Sequence, residues 1–237
     1  MIIAIDGPAG AGKSTVCKIL AHRLGFVYLD TGAMYRAVAW AFKECPGGDG
    51  RQIEADPDQN QVMEMLAQTP LIFSLKQNRL EIYCGDRLLS EELRGPQISE
   101  AASRISRLPA VRQFLVGWQR KLAEQGTSVV AEGRDTATVV FPEADLKVYL
   151  TADLRTRAAR RSAEYDEKGV KVPLGEMQKR IQQRDEADSK RDHSPMRPAE
   201  GAILLDTSHL EIEDVVDRLR GLAQNPAGTD STAHKEL

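Results

Sequence analysis

The first fourteen residues fix more of the fold than any other stretch of the chain. Ile2–Ile5 is a short apolar run of the kind that forms a buried strand. Asp6 ends it, and Gly7-Pro8-Ala9-Gly10-Ala11-Gly12-Lys13-Ser14 follows with the spacing G-x-x-x-x-G-K-[ST]. Lys13–Leu24 then has apolar residues at helical intervals. A strand that runs through a small-residue loop into a helix is the context in which this spacing carries a physical meaning. Small residues leave backbone N–H groups free to crowd around phosphate oxygens. The positive end of the following helix points at the same place. Lys13 adds one mobile charge for the β- and γ-phosphates, and the Ser14 hydroxyl, with Thr15 beside it, offers an oxygen to Mg2+. The loop therefore points to a nucleoside triphosphate as one substrate and to Mg2+ as its companion.

A phosphate loop of this kind belongs to α/β folds, and the rest of the chain agrees. Phe26–Leu29, Val129–Ala131, Leu146–Leu150 and Ala202–Leu205 read as further short buried strands. Met34–Lys43, Val111–Glu124, Leu154–Tyr165, Leu174–Asp188 and Ile212–Leu222 read as the helices between them. This alternation predicts a parallel sheet flanked by helices. One region breaks the rhythm. Pro70–Ser90 alternates apolar and polar residues, with turn signals at Gln77-Asn78 and Gly85-Asp86, and predicts an inserted small antiparallel β meander. The expected organisation is a kinase-like core from 1–44 and 108–222, an inserted domain from 45–107, a lid over 157–190 within the core, and a disordered polar tail from 223–237.

Composition narrows the class of partner. The 237 residues are 41% hydrophobic and carry a net charge of −3, so nothing global favours nucleic acid or an anionic membrane. No apolar run reaches the roughly 20 residues of a membrane helix, and the first residues lack the basic region of a signal peptide. A cytoplasmic monomer is the expectation. Cys17, Cys45 and Cys84 are widely spaced with no C-x-x-C, which predicts reduced thiols rather than a metal site. His22, His193 and His209 have no metal-like spacing.

Three kinds of protein use such a loop. A GTP switch needs N-K-x-D, but Asn60, Asn78 and Asn225 are the only asparagines and none precedes Lys. An ATP-driven machine needs a strand ending in an acid, and Val129-Val130-Ala131-Glu132 could serve. A small-molecule kinase needs a second anion site, and arginine placement suggests one. Thr31 and the backbone after it open a helix behind the second strand, with Arg36 one turn on. Gly133-Arg134-Asp135 follows the third strand, at the carboxyl end where parallel sheets place ligands. From Arg155 to Arg191 there are eleven Lys/Arg against seven Asp/Glu, a local +4 in an acidic protein. Beside a phosphate loop, such a stretch suits a flap that neutralises charge and excludes water.

These same residues carry a resemblance. "IDGPAGAGKST", "LDTGAMYRA", "AASRISRLPAVR", "EGRDTATVVFPEA", "RRSAEYDEKG", "RDEADSKR" and "LLDTS", in this order, resemble the bacterial cytidylate (CMP) kinases among the nucleoside monophosphate kinases. The resemblance implies MgATP + (d)CMP ⇌ ADP + (d)CDP. It implies that Asp135 accepts from cytosine N4 while Arg112 and Ser103 donate to the base, and that Tyr35 packs on the nucleotide. It implies that Thr31, Arg36, Arg134 and Arg191 surround the CMP phosphate, with Arg184 and Asp188 contacting ribose and phosphate. Arg157 and Arg161 resemble lid arginines over ATP, the first flanking adenine. Lys13, Arg134, Arg161 and Arg191 would converge on the transferred group. Glu132 stands where some members have Asp, and Ser14-Thr15 where some have Gly-Thr.

Overall fold

The structure is a computed structural model of the full chain, and it describes residues 1–45, 48, 57–125, 128–167 and 169–225. Among the described residues, eight strands form one sheet in the order β3-β4-β2-β6-β1-β7-β8, with β5 paired to β4. The parallel part is β2 (Val27–Asp30), β6 (Val129–Glu132), β1 (Ile2–Asp6), β7 (Leu146–Thr151) and β8 (Ile203–Asp206). β1 is the central strand, in register with β6 at Ile3↔Val130 and with β7 at Ala4↔Lys147. Its residues 3–6 are all buried, which is why its sequence is continuously apolar rather than alternating.

Helices cover both faces. Val27, Leu29, Val129 and Ala131 pack with α2 (Thr31–Glu44), α3 (Gln59–Gln68) and α5 (Pro109–Ala123). Ile3, Ile5, Val130, Val148 and Leu150 point the other way, against α1 (Lys13–Leu24) and α8 (Ile212–Gln224). The alternation of Val129, Val130 and Ala131 between two cores is the period-2 geometry of a strand. Truncating a fully buried Leu20 or Leu150 to Ala would cost about 2–5 kcal/mol.

β3 (Leu71–Lys76), β4 (Arg79–Cys84) and β5 (Arg87–Leu89) form the expected meander. Its first turn uses Gln77 and Asn78, both at positive φ (48° and 60°), as a tight hairpin turn requires. The meander is not separate from the main sheet. One edge of β4 carries β3; the other carries β5 at Ile82–Cys84 and meets β2 at Tyr28↔Arg79. Cys45 closes α2 and its Sγ lies 3.1 Å from that of Cys84, so two of the three thiols are neighbours despite their distance in sequence.

Two helices go beyond the expected set: α3, and α4 (Pro96–Ile105), which enters at Pro96. Between β6 and β7 the chain makes a π-helical turn over Thr136–Val140. α6 (Leu154–Asp166) and α7 (Leu174–Ser189) form a hairpin with its own small core. α8 runs two residues past the expected boundary at 222, with Ala223 buried. Residues 226–237 of the expected tail, and 46–47 and 49–56 of the expected insertion, lie outside the described residues.

Candidate active site

The loop after β1 is built by its glycines. Gly7, Gly10 and Gly12 have φ of 145°, 77° and 84°. A Cβ on Gly7 would stand 2.0 Å from the Leu150 carbonyl oxygen, so only glycine lets the loop leave β1 against β7. Gly12 opens α1 and no side chain caps the helix. Its first amides are left for a ligand, and the helix dipole favours an anion there. Lys13 is 7% exposed and donates to the Pro8 carbonyl at 2.7 Å, which holds its ammonium inside the loop. Burial, helped by the charge of Arg134, pulls its pKa down to about 7, with Glu132 acting in the other direction.

Glu132, the last residue of β6, organises the floor. Its carboxylate accepts from the Ser14 hydroxyl at 3.0 Å and from the Tyr28 hydroxyl. Its carbonyl accepts from the Thr31 hydroxyl at 2.6 Å. Burial and the nearby charge of Asp30 raise its pKa. Asp6, at the end of β1, accepts from the amides of Thr136 and Ala137 at 2.8 and 2.7 Å. This anchors the π-helical turn and hence the Gly133-Arg134-Asp135 segment before it. Burial raises the Asp6 pKa despite those two bonds.

The start of α2 departs from the expected open anion site. Asp30 caps it, accepting from the Ala33 amide at 2.8 Å, and pairs with Arg36 at 2.8 Å. A carboxylate from the chain therefore already sits where the helix dipole attracts an anion.

Two charge clusters fill the far half of the cleft. Arg112 and Asp135 form a buried pair, and the guanidinium lies 5.4 Å from the centre of the Tyr35 ring. Arg112 also donates to the Ser106 carbonyl at 3.0 Å. In the second cluster three arginines surround one acid: Arg134, Arg191 and Arg184 lie 3.2, 3.8 and 3.9 Å from the Asp188 carboxylate. Burial works against ionising Asp188, but the three positive charges outweigh it and hold the carboxyl below its ordinary range. Burial and the charge of Arg134 bring Arg184 down to about 10. Ser106 links the clusters, because its hydroxyl accepts from Arg191 at 3.1 Å.

One cleft gathers nearly every residue singled out in the sequence. Ala9 to Thr15 line one end, and Thr31, Tyr35, Arg36, Ser103, Arg112, Gly133, Arg134, Asp135, Arg184, Asp188 and Arg191 line the other, with Arg161 at its edge. Arg161 pairs with Glu164 at 2.6 Å over the face of Tyr165. Gly7, Pro8 and Arg157 lie behind this surface. Arg157 is tied to the Ala9 and Ala152 carbonyls at 3.0 and 2.9 Å and paired with Asp185. Asp6, Asp30, Ser99 and Ser106 went unassigned in the sequence. Only Asp6 and Asp30 carried a signal there, as acids closing buried strands.

A phosphate loop and an arginine-rich second anion pocket in one cleft, at the carboxyl ends of a parallel sheet, define a P-loop phosphotransferase. The sequence profile of the family described as cytidylate kinase matches residues 3–225. A cytidylate kinase from Carboxydothermus hydrogenoformans is 47% identical over 92% of this chain and 95% of its own. One from Caldanaerobacter subterraneus is 46% identical over 92% of each. The chain belongs to the cytidylate kinase family and is an ATP-dependent phosphotransferase. An uncharacterised protein from Eubacterium ventriosum shares the fold, with a TM-score of 0.50 at 13% identity over 95% of this chain and 98% of that one.

Proposed function

We propose that the chain transfers the γ-phosphoryl group of ATP to CMP and to dCMP, with ADP and the cytidine diphosphate as products. The observation that carries this reading is the pairing of Arg112 with Asp135 in the same cleft as the arginine cluster on Asp188. Cytosine presents an N4 donor beside N3 and O2 acceptors. Asp135 accepts from N4, Arg112 and Ser103 donate to the acceptor edge, and Tyr35 gives the nucleotide a face to pack on. Uracil would set O4 against the Asp135 carboxylate and leave both acceptors unpaired in a buried site.

The acceptor phosphate lies among Thr31, Arg36, Arg134 and Arg191, with Arg184 and Asp188 between phosphate and ribose. It is already a nucleophile, so transfer needs no covalent intermediate and no general base. Lys13, Arg134, Arg161 and Arg191 neutralise the charge that spreads over the transferred group, and catalysis is positioning plus electrostatics. The oxygen set of Ser14 and Glu132, 3.0 Å apart, fits a hard divalent cation. Ser14 and Glu132 would hold Mg2+ there, and the ion would supply neutralisation of the β- and γ-phosphates. The hairpin of α6 and α7 acts as the lid over 157–190, and the meander and α4 as the closing insertion over CMP. A working monomer is part of this reading, and the substrates support a cytoplasmic setting. Among the described residues no helix is long and apolar enough to cross a membrane.

The test is ADP release from MgATP with CMP, dCMP, UMP, AMP, GMP or shikimate as acceptor. Turnover on CMP and dCMP far above the rest is the expected result. Preference for another acceptor would overturn the base reading while leaving the phosphate loop intact.

A further inference from the structure

We propose that Asp185 is a positioning residue that fixes the phosphate loop to helix α7, so that acceptor binding on that helix tightens ATP binding on the loop. Ala9, in the middle of the loop, is held at both polar atoms of its backbone. Its N–H donates to Asp185 Oδ1 at 3.1 Å, and its carbonyl accepts from Arg157 Nη1 at 3.0 Å. Arg157 and Asp185 are paired with each other, and Arg157 Nε is fixed to the Ala152 carbonyl at 2.9 Å just after β7. The Ala9 methyl group is a member of the hairpin's own core, with Ala158, Tyr165, Met177 and Ile181. Gly10 continues the contact: its φ is 77°, and a Cβ there would stand 2.7 Å from the Arg157 carbonyl. A loop of small residues has few side chains to anchor it, and this clasp supplies the anchoring from outside. A carboxylate so near a phosphate site is tolerated because Arg157 neutralises it.

The clasp gives α7 a second connection. Arg184 and Asp188 flank Asp185 on the same helix and face the acceptor half of the cleft. Residues 185 and 188 are one helical step of three apart and share an adjoining surface. An acceptor that shifts or rigidifies the Asp188 cluster acts on the helix that holds Ala9. The effect is reciprocal between the two ligands. This step rests on the acceptor reading above for Arg184 and Asp188; the anchoring of Ala9 does not.

The experiment measures affinity for a fluorescent methylanthraniloyl-ATP with and without saturating CMP, and kcat and KM over a grid of MgATP and CMP. Wild type, Asp185→Ala and Asp185→Asn are compared. Asn keeps an acceptor for the Ala9 amide and loses the pairing charge, so it remains informative if the Ala variant does not fold. CMP is expected to tighten ATP binding to the wild type by about fivefold. Asp185→Ala is expected to bind ATP about tenfold more weakly without acceptor and to lose the effect of CMP, with kcat within about threefold. Asp185→Asn should fall between them. Unchanged ATP affinity in both variants overturns the clasp, as does a full CMP effect in Asp185→Ala. A wild type without any CMP effect overturns the coupling. If the variants weaken ATP binding and the wild type does not turn over CMP, the acceptor assignment is at fault and the clasp stands.

Discussion

Lys13 should make ATP binding dependent on pH, and the size of the expected effect follows from its burial. In the free protein its pKa is lowered to about 7, so above neutrality most molecules hold a neutral amine in the loop. The triphosphate supplies several negative charges within reach of the ammonium and restores its pKa toward the ordinary ~10.4. Binding therefore takes up a proton wherever the free lysine is neutral. With a free pKa of about 7 and a much higher bound value, the apparent dissociation constant scales as one plus ten to the power of pH minus 7. It doubles from low pH to pH 7 and rises about elevenfold by pH 8, so the step from pH 7 to pH 8 weakens ATP binding about fivefold. At pH 7.5 about three-quarters of a proton should be taken up per ATP bound.

Titration calorimetry of MgATP in buffers of differing ionisation enthalpy reads the proton count directly. Parallel titrations from pH 7 to 8.5 read the affinity. That window lies above the titration of MgATP itself, so the slope belongs to the protein. Lys13→Met should bind weakly at every pH and show no slope. A wild-type affinity flat across the window, with no proton taken up, would refute the argument that burial and Arg134 hold the free lysine partly neutral.

Asp135→Asn removes the charge that pairs with buried Arg112. It should lower kcat/KM for CMP by about a hundredfold or more and bring CMP and UMP within about tenfold of each other in steady-state rates. The unpaired Arg112 should also lower stability by about 3 kcal/mol, read as a fall of several degrees in the melting temperature. Gly7→Ala sets a methyl group 2.0 Å from the Leu150 carbonyl oxygen at a φ of 145°. A loss of at least about 3 kcal/mol is expected in thermal unfolding, and a melting temperature within about 2 °C of wild type would show that the loop can leave β1 by another path.

The parts of this fold that could be read from the sequence are those whose structure is decided locally. The loop announces itself because its function requires the absence of side chains, and glycine spacing is visible in one dimension. The meander is visible because a half-buried strand must alternate, and because Gln77-Asn78 suits a turn at positive φ. α4 is hard to read because its buried residues are few, and of Ser99, Ala102 and Ile105 only the last is a large apolar residue. The π-helical turn has no local signature, since what holds it is the Asp6 carboxylate from 130 residues earlier in the chain.

The same limit applies to the cleft's charges. Their residue types were legible, but their partners were not. Arg112 is 23 residues from Asp135, and Arg134 is 54 from Asp188. Each arginine cluster is held on an acid from the chain, which spares a buried guanidinium from standing unpaired. Asp30 does the same at the head of α2. An incoming phosphate therefore exchanges one set of ion pairs for another rather than creating attraction from nothing. The net gain is modest for any single contact, while an acceptor that fails to replace one of the pairs leaves a buried charge behind. Selectivity in such a site comes chiefly from the exchanges a wrong ligand cannot complete.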